Sequence, residues 1–73
     1  MGKYNGWKNY ETWNVALWIS NRLYATAIQC DDYRIDMANH LIAYNITETP
    51  DGIAYDDETL DYEALDEMVE AIA

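Results

Sequence analysis

From Ile35 to Ala73 the sequence contains no lysine and no arginine. A surface without cations does not hold a phosphate backbone or an anionic membrane, so neither direct nucleic-acid binding nor membrane association is expected. No run approaches the roughly 18 apolar residues of a membrane-spanning helix. The opening stretch Met1 to Trp7 also lacks the apolar core of a secretory signal. A soluble, intracellular protein is therefore expected. A lone cysteine, Cys30, excludes an internal disulfide framework and fits a reducing compartment. It is expected to be a small buried residue and not a nucleophile. Catalytic equipment is equally thin: one histidine, no lysine beyond Lys8, no glycine-rich phosphate loop and no nucleophile spaced from a base. No enzymatic activity and no cofactor are expected.

What is present is organised around residues 9–19, Asn-Tyr-Glu-Thr-Trp-Asn-Val-Ala-Leu-Trp-Ile, which hold two of the three tryptophans. Asn9 or Thr12 can cap a helix here, because a short side-chain oxygen ahead of an apolar run accepts a hydrogen bond from a first-turn N–H. Trp13, Ala16, Leu17 and Ser20 form one helical stripe, and Val15, Trp18 and Ile19 widen the apolar surface. Such a helix should be covered by other elements. Residues 1–8 have no periodicity and are expected to form a flexible arm, with 9–73 as a single helical domain. At 73 residues a chain buries only about 60% of its unfolded surface, a thin stability margin that dimerisation would widen.

Further along, Ser20 and Asn21 should interrupt the helix before it resumes through Leu23, Tyr24, Ala27 and Ile28, as one bent helix or two. Asp31 or Asp32 can cap a second segment in which Ile35, Ala38, Leu41 and Ile42 make one stripe and Met37, Leu41 and Tyr44 another, with Asn45 suited to its end. Thr49-Pro50-Asp51-Gly52 reads as a turn, and Ile53 and Tyr55 as a short extended piece that pins the loop to the helices. Asp61 then caps a last helix with Tyr62, Leu65, Val69 and Ile72 inward, Met68 at the edge, and Glu63, Asp66, Glu67 and Glu70 on the opposite face. These patterns predict an all-α, compact three- to four-helix domain with one longer loop at 46–59.

Fourteen acids against four bases give a net charge of −10. The four bases, Lys3, Lys8, Arg22 and Arg34, meet only Glu11, Asp31 and Asp32 in the first 34 residues, and eleven acids follow. A candidate acidic binding face comprises Asp51, Asp56, Asp57, Glu58, Asp61, Glu63, Asp66, Glu67 and Glu70, with Glu48 extending the run. Carboxylates held in place suit a protein that occupies a DNA-binding groove, since duplex DNA carries about one charge per 1.7 Å of axis. Ordinary solubility is the competing reading. Trp7, Trp18 and Tyr55 are candidate aromatic anchors for a partner. Asp32, Asp36 and His40 share a helical face, but three ligands on one straight helix converge poorly on an ion. Asp56, Asp57, Glu58 and Asp61 lack the alternation and central glycine of a calcium loop, so no metal is expected.

The 9–19 motif, together with Thr49-Pro50-Asp51-Gly52-Ile53 and Leu65-Asp66-Glu67-Met68, resembles a family of small proteins of unknown activity common in bacteriophages, prophages and plasmids. Members of that family continue the first motif with an Asn-Asp-Glu-Gly-like turn, where this chain has Ser20-Asn21-Arg22-Leu23-Tyr24. The resemblance implies a mobile-element setting and no particular activity. With the charge pattern, it leads to the expectation of a small acidic accessory protein in the host cytoplasm. Such a protein would bind and inhibit a basic, nucleic-acid-handling host protein by DNA mimicry, as an anti-restriction or anti-CRISPR factor or in transcription takeover. The alternative is a structural or assembly module that self-associates, as a homodimer, through its aromatic helix.

Overall fold

Asn9 opens the first helix. Its backbone is extended, at φ −153° and ψ 174°, and its side chain accepts a hydrogen bond from the Thr12 N–H at 2.9 Å, so of the two candidate caps Asn9 is the one used. This computed structural model describes residues 4–72. Helix α1 runs Tyr10–Asn21 and buries Thr12, Asn14, Val15, Ala16 and Ile19. The buried face is therefore rotated from the expected stripe: Trp13 and Leu17 are half-buried and Ser20 is exposed. The rotation follows from Thr12 and Asn14, whose polar groups have partners in the segments that cover α1.

The Arg22 and Leu23 N–H groups both donate to the Trp18 carbonyl, which closes α1 before the short helix α2, Tyr24–Ala27. Residues 9–29 thus form two helices. A π turn, Tyr33–Met37, then leads into helix α3, Ala38–Ala43. Asp32 caps the π turn, accepting from the Ile35 and Asp36 N–H groups at 3.0 Å each. Because the Met37 N–H donates to the Asp32 carbonyl five residues back, the turn holds an extra residue and the face shifts. Tyr33, Met37, Ala38 and Leu41 are buried, whereas Ile35 and Tyr44, both expected inside, are 71% and 70% exposed. The helix ends as expected at Asn45, at φ 68°. The Asn45 N–H donates to the Ile42 carbonyl and the Ile46 N–H to the Leu41 carbonyl, the paired closure of a left-handed helix end.

The 46–59 loop contains a small hairpin. Thr49 N–H donates to the Ile53 carbonyl, and Tyr55 N–H to the Thr47 carbonyl, at 2.8 and 3.0 Å. Gly52 takes φ 89°, the left-handed residue that follows the turn in three-residue hairpin loops. Asp61 accepts from the Ala64 N–H at 3.2 Å and starts helix α4, Tyr62–Ile72. There Leu65 and Val69 are fully buried and Tyr62, Met68 and Ile72 lie partly buried against the core. The π turn packs between α3 and α4, and α1 packs against α2 and α4. The fold is all-α, with two isolated β-bridges and no strand among the described residues. No described helix is long and apolar enough to cross a membrane.

Residues 4–7 of the expected arm form a turn. Tyr4 and Trp7 pair across a tight turn with Asn5 at φ 51° and Gly6 at φ 91°, the positive pair that two-residue hairpin turns require. The Tyr4 ring lies 5.4 Å from Tyr10 and 4.8 Å from Trp13. Met1 to Lys3 of that arm lie outside the described residues.

Candidate functional site

Asn14 fastens the hairpin to α1. Fully buried, it accepts from the Thr49 hydroxyl at 2.7 Å and donates to Asp51 Oδ2 at 2.8 Å. The same Asp51 oxygen accepts from Trp18 Nε1 at 2.9 Å. The Asn14 amide first, and the Trp18 indole second, hold the Asp51 carboxyl below the usual aspartate range. A second fastening joins the starts of α1 and α4: Asn9 Nδ2 donates to the Thr59 carbonyl at 2.7 Å, and the Asp61 N–H to the Thr12 hydroxyl at 3.0 Å.

These bonds position the proposed aromatic anchors differently. Trp18 remains half-buried, and its ring forms one wall of a groove of about 260 Å³ shared with Arg22, Leu23, Ile46, Glu48, Pro50 and Tyr55. The Arg22 guanidinium lies 6.0 Å from the Trp18 ring centroid. Trp7 is also half-buried, against the core. Tyr55 is 2% exposed, and this corrects its reading as an exposed anchor. The hairpin's alternation turns Ile53 and Tyr55 toward the helices, where the Tyr55 carbonyl accepts from the Tyr33 hydroxyl. Burial raises the hydroxyl pKa of both tyrosines.

The nine acids of the candidate face divide, among the described residues, into bonded and free. Four of the five aspartates accept hydrogen bonds. Asp51 holds Asn14 and Trp18; Asp57 accepts from the Thr59 hydroxyl and N–H, which lowers its carboxyl pKa in that order. Asp61 caps α4. Asp66, expected on the outer face of α4, accepts instead from the Tyr33 and Arg34 N–H groups at 3.0 and 2.8 Å. A short carboxylate reaches backbone donors more readily than a long one. Asp56, Glu58, Glu63, Glu67 and Glu70 are exposed and make no side-chain hydrogen bond among the described residues. Asp56 and Glu58 also line a second groove of about 410 Å³ with Arg34, Ala38, Asn39, Ile42 and Tyr62. Burial first, then Asp56 and Asp57, push the Tyr62 hydroxyl pKa up, while Arg34 opposes them.

The trio weighed for metal is used otherwise. Asp32 caps the π turn, Asp36 accepts from the Asp31 N–H at 2.9 Å, and the His40 ring lies 4.8 Å from Tyr44. Among the described residues no group of three histidine, cysteine or acidic side chains is placed to hold an ion. Cys30 is buried as expected, with its thiol bonded to the Thr26 carbonyl and its pKa raised, chiefly by burial.

A family profile matches residues 1–73. The chain belongs to DUF7249, a family of unknown function. No curated protein and no solved structure matches it. In this DUF7249 chain, segments 9–19, 49–53 and 65–68 carry most of the long-range side-chain hydrogen bonds, through Asn9, Thr12, Asn14, Trp18, Thr49, Asp51 and Asp66. Sequence reading missed the buried roles of Asn14 and Thr49 and the groove residues Arg22, Leu23, Ile46 and Pro50. One available signal was Asn14 itself, a polar residue inside an apolar run.

Proposed function

We propose that this protein is a non-enzymatic, mobile-element accessory protein that binds and blocks a basic, nucleic-acid-handling protein in the host cytoplasm. Its target would be a restriction or CRISPR effector or a transcription factor. The observation that supports this reading is the division among the acids. Asp56, Glu58, Glu63, Glu67 and Glu70 stay exposed and, among the described residues, unbonded, on a segment with no lysine or arginine. Helix α4 holds three of them on a scaffold anchored by buried Leu65 and Val69. Glu63, Glu67 and Glu70 follow one another at about 6 Å and about 4.5 Å along the axis, at 1.5 Å per residue. This ladder is sparser than duplex DNA, so mimicry would depend on the loop acids Glu48, Asp56 and Glu58 as well. Such a field attracts a basic surface and speeds encounter, with a strong salt dependence.

The test is affinity purification of the tagged protein from host lysate at low salt, with stepped salt elution read by mass spectrometry. A basic nucleic-acid-binding protein should leave at intermediate salt, lose its nucleic acid in a gel-shift assay when the acidic protein is added, and be lost from the E63Q/E67Q/E70Q variant. Capture that ignores both salt and the triple substitution overturns the reading.

One observation favours self-assembly, though through a face other than the aromatic helix α1: Tyr24 and Ile28, one helical turn apart, are 53% and 46% exposed. Self-association through this face would show as a dimer mass in solution that Y24S/I28S converts to a monomer.

A further inference from the structure

We propose that the 410 Å³ groove between α3, the 56–58 loop and the start of α4 is a receptor for an arginine side chain of the basic partner. The partner's nature rests on the inhibitor reading above, but the groove's chemistry does not. Part of the lining is aliphatic, from Ala38 and Ile42, and suits the methylene stem of a long cation. Two carboxylates, Asp56 and Glu58, reach the same space two residues apart. Their neighbour Asp57 is bonded to Thr59, whereas Asp56 and Glu58 have no hydrogen-bond partner among the described residues. The Asn39 amide donates to the Ile35 carbonyl at 2.6 Å, which leaves its oxygen as a further acceptor. An arginine fork brings five donors to such an arrangement, and a lysine only a single point of charge.

The groove also contains a cation of its own. The Arg34 guanidinium lies 5.1 Å from the Tyr62 ring centroid, on the ring and not paired with either acid. Two carboxylates against one guanidinium leave the groove with an excess negative charge. Arg34 is thus a competitor for an incoming guanidinium, and removing its charge should tighten binding.

The experiment is an NMR titration of the labelled full chain with N-acetyl-arginine amide, with the lysine and leucine amides as parallel probes. Saturable shifts confined to residues 38–42, 56–58 and 62 with the arginine probe are expected. D56N/E58Q should weaken binding about tenfold, the scale of one charged hydrogen bond, and R34Q should strengthen it. Equal response to arginine and lysine amides, shifts that follow Glu63, Glu67 and Glu70 instead, or an unchanged D56N/E58Q titration overturns the proposal. An intact spectrum of each variant separates loss of the site from loss of the fold. Because no partner is needed here, failure of the lysate capture and failure of the groove are read independently. A captured partner that binds D56N/E58Q as tightly as the parent counts against the groove alone.

Discussion

Asn14 ties α1 to two residues of the distant hairpin, Thr49 and Asp51, with one buried amide. Replacing it with alanine removes the acceptor of the buried Thr49 hydroxyl, which keeps only the bond from the Ile53 N–H, and leaves Asp51 with only the indole. The expected loss is about 1–3 kcal/mol, the usual range for an unsatisfied buried partner, read by urea unfolding at unchanged m-value. Asp51 itself predicts an acid dependence. Its folded pKa lies below the ordinary 3.8, so its contribution is fully present above that value and is lost as pH falls through the lower folded one. Asp57 is shifted in the same direction, so its contribution is likewise lost on the acid side. The D51N variant should therefore show a shallower acid limb in a pH series of unfolding midpoints. A parallel decline in parent and variant would remove Asp51 as a contributor.

Elements whose ends are set by local chemistry were legible from sequence, and those placed by distant partners were not. Asn9 and Asp32, each one of two expected candidates, and Asp61 and Asn45 all cap where expected, because each acts within a few residues of itself. Leu65 and Val69 face inward for the same reason, since α4 keeps a regular period and only one side has a core to meet. Ile35 escaped because the π turn adds a residue to the period. Asp66 escaped because its role, holding the Tyr33 and Arg34 N–H groups, is visible only once α4 lies beside the π turn. Two substitutions test these elements. Asp66→Ala should cost about 1.5–3 kcal/mol, since the acceptor is charged, and should loosen hydrogen-exchange protection at Tyr33 and Arg34 first. Asn45 at φ 68° should tolerate glycine, whereas alanine should cost about 1 kcal/mol in thermal unfolding.

Over the whole molecule, charge and stability are expected to separate. Neutralising Glu63, Glu67 and Glu70 removes self-repulsion, so the triple glutamine variant should melt no lower than the parent while its association with a basic partner slows and loses salt sensitivity. Variants at Asp57 or Asp61 would not make that separation, because both also hold local structure. The fastenings of α1 reach far along the chain: Asn14 to Thr49 and Asp51 spans 35 and 37 residues, Asn9 to Thr59 spans 50, and Thr12 to Asp61 spans 49. Helix α1 is therefore synthesised before the hairpin and α4, its distant covers. During translation Val15 and Ile19 wait without those neighbours until α4 emerges, which delays folding of this helical domain until its last helix has been made.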